Sequence, residues 1–230
     1  FGFNSIPQES ENAREVKKNA PILAIVGNPP YSGISQNPVE TIITNIKNGK
    51  EKKKKIKTWI GDLIEDYKYT EGDRNSGKHF KEKKHWLGDD YVKFIRFGQW
   101  KIEQNGAGVL VLITNHKYLD NPTFRGMRWQ LMNTFDDIYI LNLHGDAKTE
   151  KITPEGKKDE NVFTIQKGVA ISIFIKKSEI KSEKNRVFYS DLWGLRKEKF
   201  SLVLDIGFSD TEWKELKAAS PYYFFIPKSG

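Results

Sequence analysis

Residues 22–31 read Ile22-Leu23-Ala24-Ile25-Val26-Gly27-Asn28-Pro29-Pro30-Tyr31, and the way this stretch is read decides the fold. Its apolar start has the pattern of a short, fully buried strand, and Gly27 followed by Asn28 and two prolines stops that strand abruptly. In open α/β sheets, ligands sit in the crevice beyond the carboxyl ends of the strands. The stop therefore places an amide, two rigid imino acids and an aromatic ring where chemistry is expected.

The four residues of the stop have a joint physical reading. Both prolines fix φ and lack an N–H, so the backbone there is stiff and rich in acceptors. The side-chain oxygen of Asn28 and the carbonyl of Pro29 can accept both hydrogens of one planar amino group, and Tyr31 offers a ring on which a flat base or amide can stack. The lone pair of such an amine is delocalised into its ring. Accepting both N–H bonds favours a pyramidal nitrogen and turns the lone pair toward an electrophile without a strong base. The alternative is that Asn-Pro-Pro-Tyr is only a turn between two elements.

At these residues the chain resembles the S-adenosylmethionine-dependent amino-methyltransferases, whose catalytic motif is Asn/Asp-Pro-Pro-Tyr/Phe. Order and spacing beyond the motif are similar to the gamma-group N6-adenine DNA methyltransferases. Tyr91-Val92-Lys93-Phe94, leading to Gly106-Ala107-Gly108-Val109, matches the helix, glycine turn and apolar strand that follow the catalytic loop there. By this resemblance Pro30 and Phe94 lie against the adenine of the cofactor S-adenosyl-L-methionine, and Tyr31 and Phe163 stack the flipped target base. The alternative for Phe94 and for Phe163 is a core residue, as readily for Phe94 and less so for Phe163.

The long insertion at about 37–86, Leu143-His144-Gly145-Asp146 and Gln166-Lys167-Gly168-Val169 look most like the methyltransferase part of large single-polypeptide restriction-modification enzymes. That resemblance implies an α/β fold, the C-terminal half of a Rossmann-like methyltransferase sheet carrying a helical basic insertion. Residues 1–195 would form the catalytic half, and 196–230 an extension leading toward a target-recognition domain. The implied partners are double-stranded DNA and the rest of a parent polypeptide with nuclease, motor and target-recognition domains. Only 27 residues precede Asn28, with no strand followed by a Gly-x-Gly turn, so the main cofactor loop is expected upstream of this chain. Two other functions stay open: a protein glutamine N5-methyltransferase, whose amide nitrogen has the same delocalised lone pair, and a non-catalytic DNA-binding fragment.

Composition is compatible with all three. The chain has 230 residues, enough for a proper core, and no cysteine, which fits a reducing cytoplasm and excludes disulfides and thiolate metal sites. No apolar run approaches the roughly 20 residues of a membrane span, so no membrane partner is expected. His79, His85, His116 and His144 lack close ligand spacing and are expected to be surface or hydrogen-bonded side chains. The net charge is +8, and between Lys47 and Lys84 thirteen basic residues stand against seven acidic ones. The charge is local, which favours a polyanionic partner. Lys52, Lys53, Lys54 and Lys55, with Arg125 and Arg128, are the candidate phosphate contacts, the alternative for the lysines being a solvated face.

Along the rest of the chain, helices are expected at 10–18, 38–48, 89–104, 123–135 and, from the box Ser209-Asp210-Thr211-Glu212, at 209–217. Trp59, Leu63 and Tyr67 should pack as one helical stripe. Strands are expected at 22–26, 109–113, 137–143, 169–175 and 186–190, with polar loops at 70–84 and 147–160. The apolar end Tyr222-Tyr223-Phe224-Phe225-Ile226-Pro227 should pack on something.

Overall fold

The computed structural model describes residues 23–31, 35–47, 50–70, 85–147, 152–177 and 185–227. The helix expected at 10–18, the loop 71–84 and His79 lie outside these.

Six strands form one mixed sheet in the order β1 (Ala24–Gly27), β4 (Gly108–Asn115), β6 (Val169–Lys176), β5 (Asp137–His144), β7 (Arg186–Asp191) and β8 (Lys214–Leu216). β1 is parallel to β4, and β5 to β7, while β6 is antiparallel to both β4 and β5. Strands β1, β4, β5 and β7 therefore point the same way, and their carboxyl ends share one edge. β6 is a continuous Val-Ala-Ile-Ser-Ile-Phe-Ile run whose register places Ile171 between Ile113 and Leu141.

One face of the sheet carries the main core. Leu110 and Leu112 of β4, Ile138 and Ile140 of β5, Phe174 of β6 and Val187 of β7 alternate toward it. They are covered by the helix at Asp90–Asn105, named α2, and the one at Arg125–Thr134, named α3; a shorter helix α1 spans Trp59–Glu65. α2 puts Tyr91, Val92, Ile95 and Ile102 inward at helical spacing, and its Gly98 brings it close to the sheet: a Cβ there would stand 2.6 Å from Leu110 Cδ1. The helix stops where Gly106 takes a left-handed φ of 79°, as the glycine turn predicted. A fourth helix, α4 (Arg196–Asp205), follows β7 where only an extension was expected. No described helix is long and apolar enough to cross a membrane.

Three expectations are corrected. The helix expected at 38–48 is absent over its described residues 38–47, and the lysine run is not a helical face. β2 (Glu40–Lys47) and β3 (Lys50–Lys57) pair antiparallel as a separate two-stranded ribbon, in register from Glu40↔Lys57 to Lys47↔Lys50. The signals were there: Thr41, Ile42, Ile43, Thr44 and Ile46 are β-branched, and the two residues linking the strands are Asn48-Gly49, a strong hairpin pair. The second correction is at 209–217, where a 3-10 turn at Phe208–Asp210 and the short β8 replace the helix. Pairing with β7 outweighs a local capping signal. The third is the Trp59, Leu63 and Tyr67 stripe: Tyr67 is fully buried, but Trp59 is 52% exposed and packs edge-on to Trp100.

Two polar anchors hold segments that have little regular structure. Arg128 is completely buried, so it does not meet phosphate. Its guanidinium donates to the carbonyls of Tyr118 (2.5 Å), Asn121 (3.0 Å) and Tyr222 (2.7 Å), and burial lowers its pKa to about 9. Through Tyr222 it fixes the apolar C-terminal stretch, whose Phe225 enters the core. Asp90, at the first turn of α2, accepts from Ser35 Oγ (2.6 Å), the Gln36 N–H (3.0 Å) and Asn37 Nδ2 (3.4 Å), pinning the segment that leaves the motif. Burial opposes its charge, but these bonds and Lys93 prevail and hold its carboxyl below the usual range.

Replacing Arg128 by Met leaves those carbonyls without their donor and should cost about 3–5 kcal/mol, roughly 10 °C in Tm, in a thermal melt. An unchanged Tm would show the anchor to be idle. Since the folded pKa of Asp90 is lowered, its contribution is present above the ordinary carboxylate range and lost as pH falls through the folded value. Melts of wild type and Asp90→Asn should differ most near neutrality and converge as the pH falls below the ordinary carboxylate range.

Candidate active site

Tyr31, which closes the Asn-Pro-Pro-Tyr segment, is fixed by the strand beside its own. β1 pairs with β4 from Ala24↔Val109 to Gly27↔Leu112, and a Cβ on Gly27 would lie 3.1 Å from the Leu112 side chain. Just past that register the Tyr31 hydroxyl donates to the Ile113 carbonyl at 3.1 Å, and Lys167 Nζ reaches the Tyr31 carbonyl at 3.4 Å. Burial pushes the Tyr31 pKa up to about 12, so the phenol stays neutral. Pro29 is buried, while Asn28 and Pro30 are exposed at the carboxyl end of β1. The rigid, acceptor-rich corner read from the sequence therefore stands at the sheet edge where ligands bind in such folds.

Phe163 comes to this corner from far along the chain. Its ring centroid lies 5.6 Å from that of Tyr31, with the planes at 49°. The two rings touch; a third ring between them needs about 7 Å, two van der Waals spacings. The loop carrying Phe163 is held by Asn161, which accepts the Phe163 N–H (2.8 Å) and donates to the carbonyls of Gly145 (2.9 Å) and Lys167 (2.7 Å). α4 supplies the outer support. Arg196 donates to the Asn161 and Phe163 carbonyls at 2.8 and 2.9 Å, and the fully buried Lys199 pairs with Asp159 at 2.6 Å. Sequence reading missed these residues because α4 follows Leu195, not a Ser, Thr, Asp or Asn cap; its only capping signal is the Glu198 carboxylate on the Leu195 N–H at 2.9 Å.

Beside Tyr31 opens a cleft of about 550 Å³ lined by Trp86, Tyr91, Phe124, Asn115 and Asn121 among others. Asp89 at its rim has a raised pKa, chiefly from burial. Asp146, also on the cleft wall, pairs with Lys117 at 3.1 Å. Behind the cleft, His116 and His144 meet with ring centroids 6.3 Å apart; His116 Nδ1 shares a hydrogen bond with Asn142 Oδ1 at 3.0 Å, and His144 Nε2 with Asp191 at 2.5 Å. Both are buried and hydrogen-bonded, as the sequence indicated, and no metal-binding group occurs among the described residues.

The remaining candidates are scattered. Phe94 is 41% exposed and faces a second groove of about 410 Å³ with Trp59 and Phe97, while Pro30 lines neither groove. Arg125 is half-buried, its guanidinium 5.8 Å from the Tyr222 ring centre. Lys52, Lys53, Lys54 and Lys55 are all exposed on β3, but strand alternation sends Lys52 and Lys54 to one face of the ribbon and Lys53 and Lys55 to the other. β1 forms the edge of the described sheet, with Val26 78% exposed.

No protein-family model matches the sequence, and no curated protein matches it. Solved structures do match its fold. Over 92% of this chain and 18% of the other, a DrdV–DNA complex aligns at 22% identity with a TM-score of 0.66. A nuclease-deletion mutant of the Type ISP restriction-modification enzyme LlaGI, in complex with a DNA substrate mimic, aligns over 96% of this chain at 22% identity and a TM-score of 0.70. The ATP-dependent Type ISP restriction-modification enzyme LlaBIII bound to DNA aligns over 100% of this chain at 24% identity and a TM-score of 0.69. The chain spans only 14–18% of the length of these proteins, and what it shares with them is a fold.

Proposed function

We propose that this chain is the catalytic half of a DNA adenine N6-methyltransferase belonging to a restriction-modification enzyme. The observation that carries the reading is the placement of Asn28-Pro29-Pro30-Tyr31 at the carboxyl end of β1, with an aromatic partner and an open cleft beside Tyr31. Asn28 Oδ1 and the Pro29 carbonyl accept the two hydrogens of the adenine amine, which localises its lone pair. Tyr31 stacks the extruded base, and Phe163 takes the other face once the two rings part. The exposed Pro30 and Phe94 offer apolar surface to S-adenosyl-L-methionine, which supplies an electrophilic methyl group when bound. In this reading the main contacts to the rest of the cofactor come from elsewhere in the enzyme, beside β1, the edge strand of the described sheet.

The DNA-bound Type ISP enzymes with this fold support a nucleic-acid substrate, and the lysine ribbon supports it independently. Eight residues of extended strand span about 26 Å, the length of several base pairs along a duplex. A protein glutamine N5-methyltransferase has no use for such a ribbon.

In an assay of methyl transfer to duplex DNA by the intact parent enzyme, Asn28→Ala should lower the rate roughly 100- to 1000-fold while DNA affinity stays within about twofold. Retained transfer would overturn the mechanism. The ribbon makes a second prediction. Since its two faces cannot both rest on one backbone, one of the pairs Lys52/Lys54→Ala or Lys53/Lys55→Ala should reduce the slope of log K against log[salt] by about 2, and the other should leave it nearly unchanged. If neither pair alters the slope, the ribbon does not touch phosphate.

A further inference from the structure

The cleft beside Tyr31 contains a buried polar group that the fold does not use. Tyr91 is 3% exposed, and among the described residues its hydroxyl has no hydrogen-bond partner. Buried hydroxyls are nearly always satisfied, so an orphan on a residue lining a cleft calls for a partner that the described residues do not supply. Two amides in the same wall have their polarity fixed. Asn115 Oδ1 accepts the Lys117 N–H and Asn121 Oδ1 accepts the Thr123 N–H, each at 2.9 Å, as caps of short 3-10 turns. With the oxygens committed to backbone, each side chain's remaining polar group is its Nδ2 amino group.

Resting on the function proposed above, we infer that this cleft reads the ring edge of the extruded base, with Tyr91 Oη and the Nδ2 groups of Asn115 and Asn121 donating to the ring nitrogens of adenine. The chemistry divides cleanly. Asn28 and Pro29 present acceptors to the exocyclic amine, whereas these three present donors, and adenine's ring edge offers only acceptors, at N1, N3 and N7. Trp86 and Phe124 wall the cleft, and its 550 Å³ is ample for a purine. Tyr91 is thus a specificity-determining residue that selects a purine ring bearing an unprotonated acceptor. Cytosine also carries an exocyclic amine, but a pyrimidine stacked on Tyr31 does not reach as far into the cleft.

The test uses the 230-residue chain with fluorescein-labelled single-stranded dA and dC 12-mers at one salt concentration, followed by fluorescence anisotropy. Wild type should prefer dA. Tyr91→Phe should lose roughly three- to tenfold in dA affinity, with dC affinity unchanged. The same substitution should raise Tm, because it removes a buried hydroxyl that has no partner in the unliganded chain. Oligomers carrying 1-deaza-, 3-deaza- or 7-deaza-adenine then identify the nitrogen: for one of them, wild type and Tyr91→Phe should bind equally. An effect of Tyr91→Phe that persists undiminished with all three analogues would overturn the assignment. If dA binding depends on Asn28 and Tyr31 but not on Tyr91, the cleft assignment fails and the methyltransferase reading stands. A chain with no dA preference and no dependence on Asn28 would sink that reading as well.

Discussion

The parallel pairing of β1 with β4 is the constraint on which the site depends. The four-residue β1 has little to stabilise it alone, and its backbone is fixed by a neighbour that continues past it. Because Gly27 sits opposite Leu112, the next carbonyl of β4, that of Ile113, is where the Tyr31 hydroxyl is tied. Two prolines allow the backbone between strand and tyrosine few conformations. A slip of one residue in this register would turn the β1 side chains to the opposite face of the sheet and move the motif off the edge.

β4 also links the site to the rest of the fold. Its C-terminal asparagine starts the 3-10 turn that carries Tyr118 and leads on to the Asn121 turn, so two cleft residues come from one short stretch. Through β6 it is coupled to the loop bearing Phe163 and Lys167, where the approach is so close that a Cβ on Gly168 would stand 2.4 Å from the His116 ring. The loop is long and irregular, and the buried Lys199–Asp159 pair compensates for its lack of regular hydrogen bonding. Removing one partner of such a pair leaves an uncompensated buried charge, so loop and helix α4 hold or fail together.

The lysine ribbon is organised differently. It joins the body near Thr58, whose N–H and hydroxyl bond the Val39 and Pro38 carbonyls, and Gly61 is required there because a Cβ would meet the Val39 carbonyl oxygen at 1.9 Å. Beyond that junction its side chains are mostly exposed, Ile42 and Ile46 included, so it contributes charge and reach with little core.

What the sequence determined by itself was a short strand ending at Gly27 with an abrupt stop, the stiff, acceptor-rich composition of Asn28-Pro29-Pro30-Tyr31, and the positions of the later strands along the chain. These rest on local physics: apolar runs, imino acids and glycine turns act within a few residues. It also held the ribbon, in the Asn48-Gly49 link and the β-branched run before it, although helical spacing of Val39, Ile42, Ile43 and Ile46 concealed it. Only the tertiary structure decided which candidates meet. It brought Phe163 to Tyr31, tied Arg128 to the carbonyl of Tyr222, and set Tyr91 with Asn115 and Asn121 around one cleft. Those outcomes turn on sheet register and on buried polar pairs between segments far apart in the chain, and no window of sequence contains both partners.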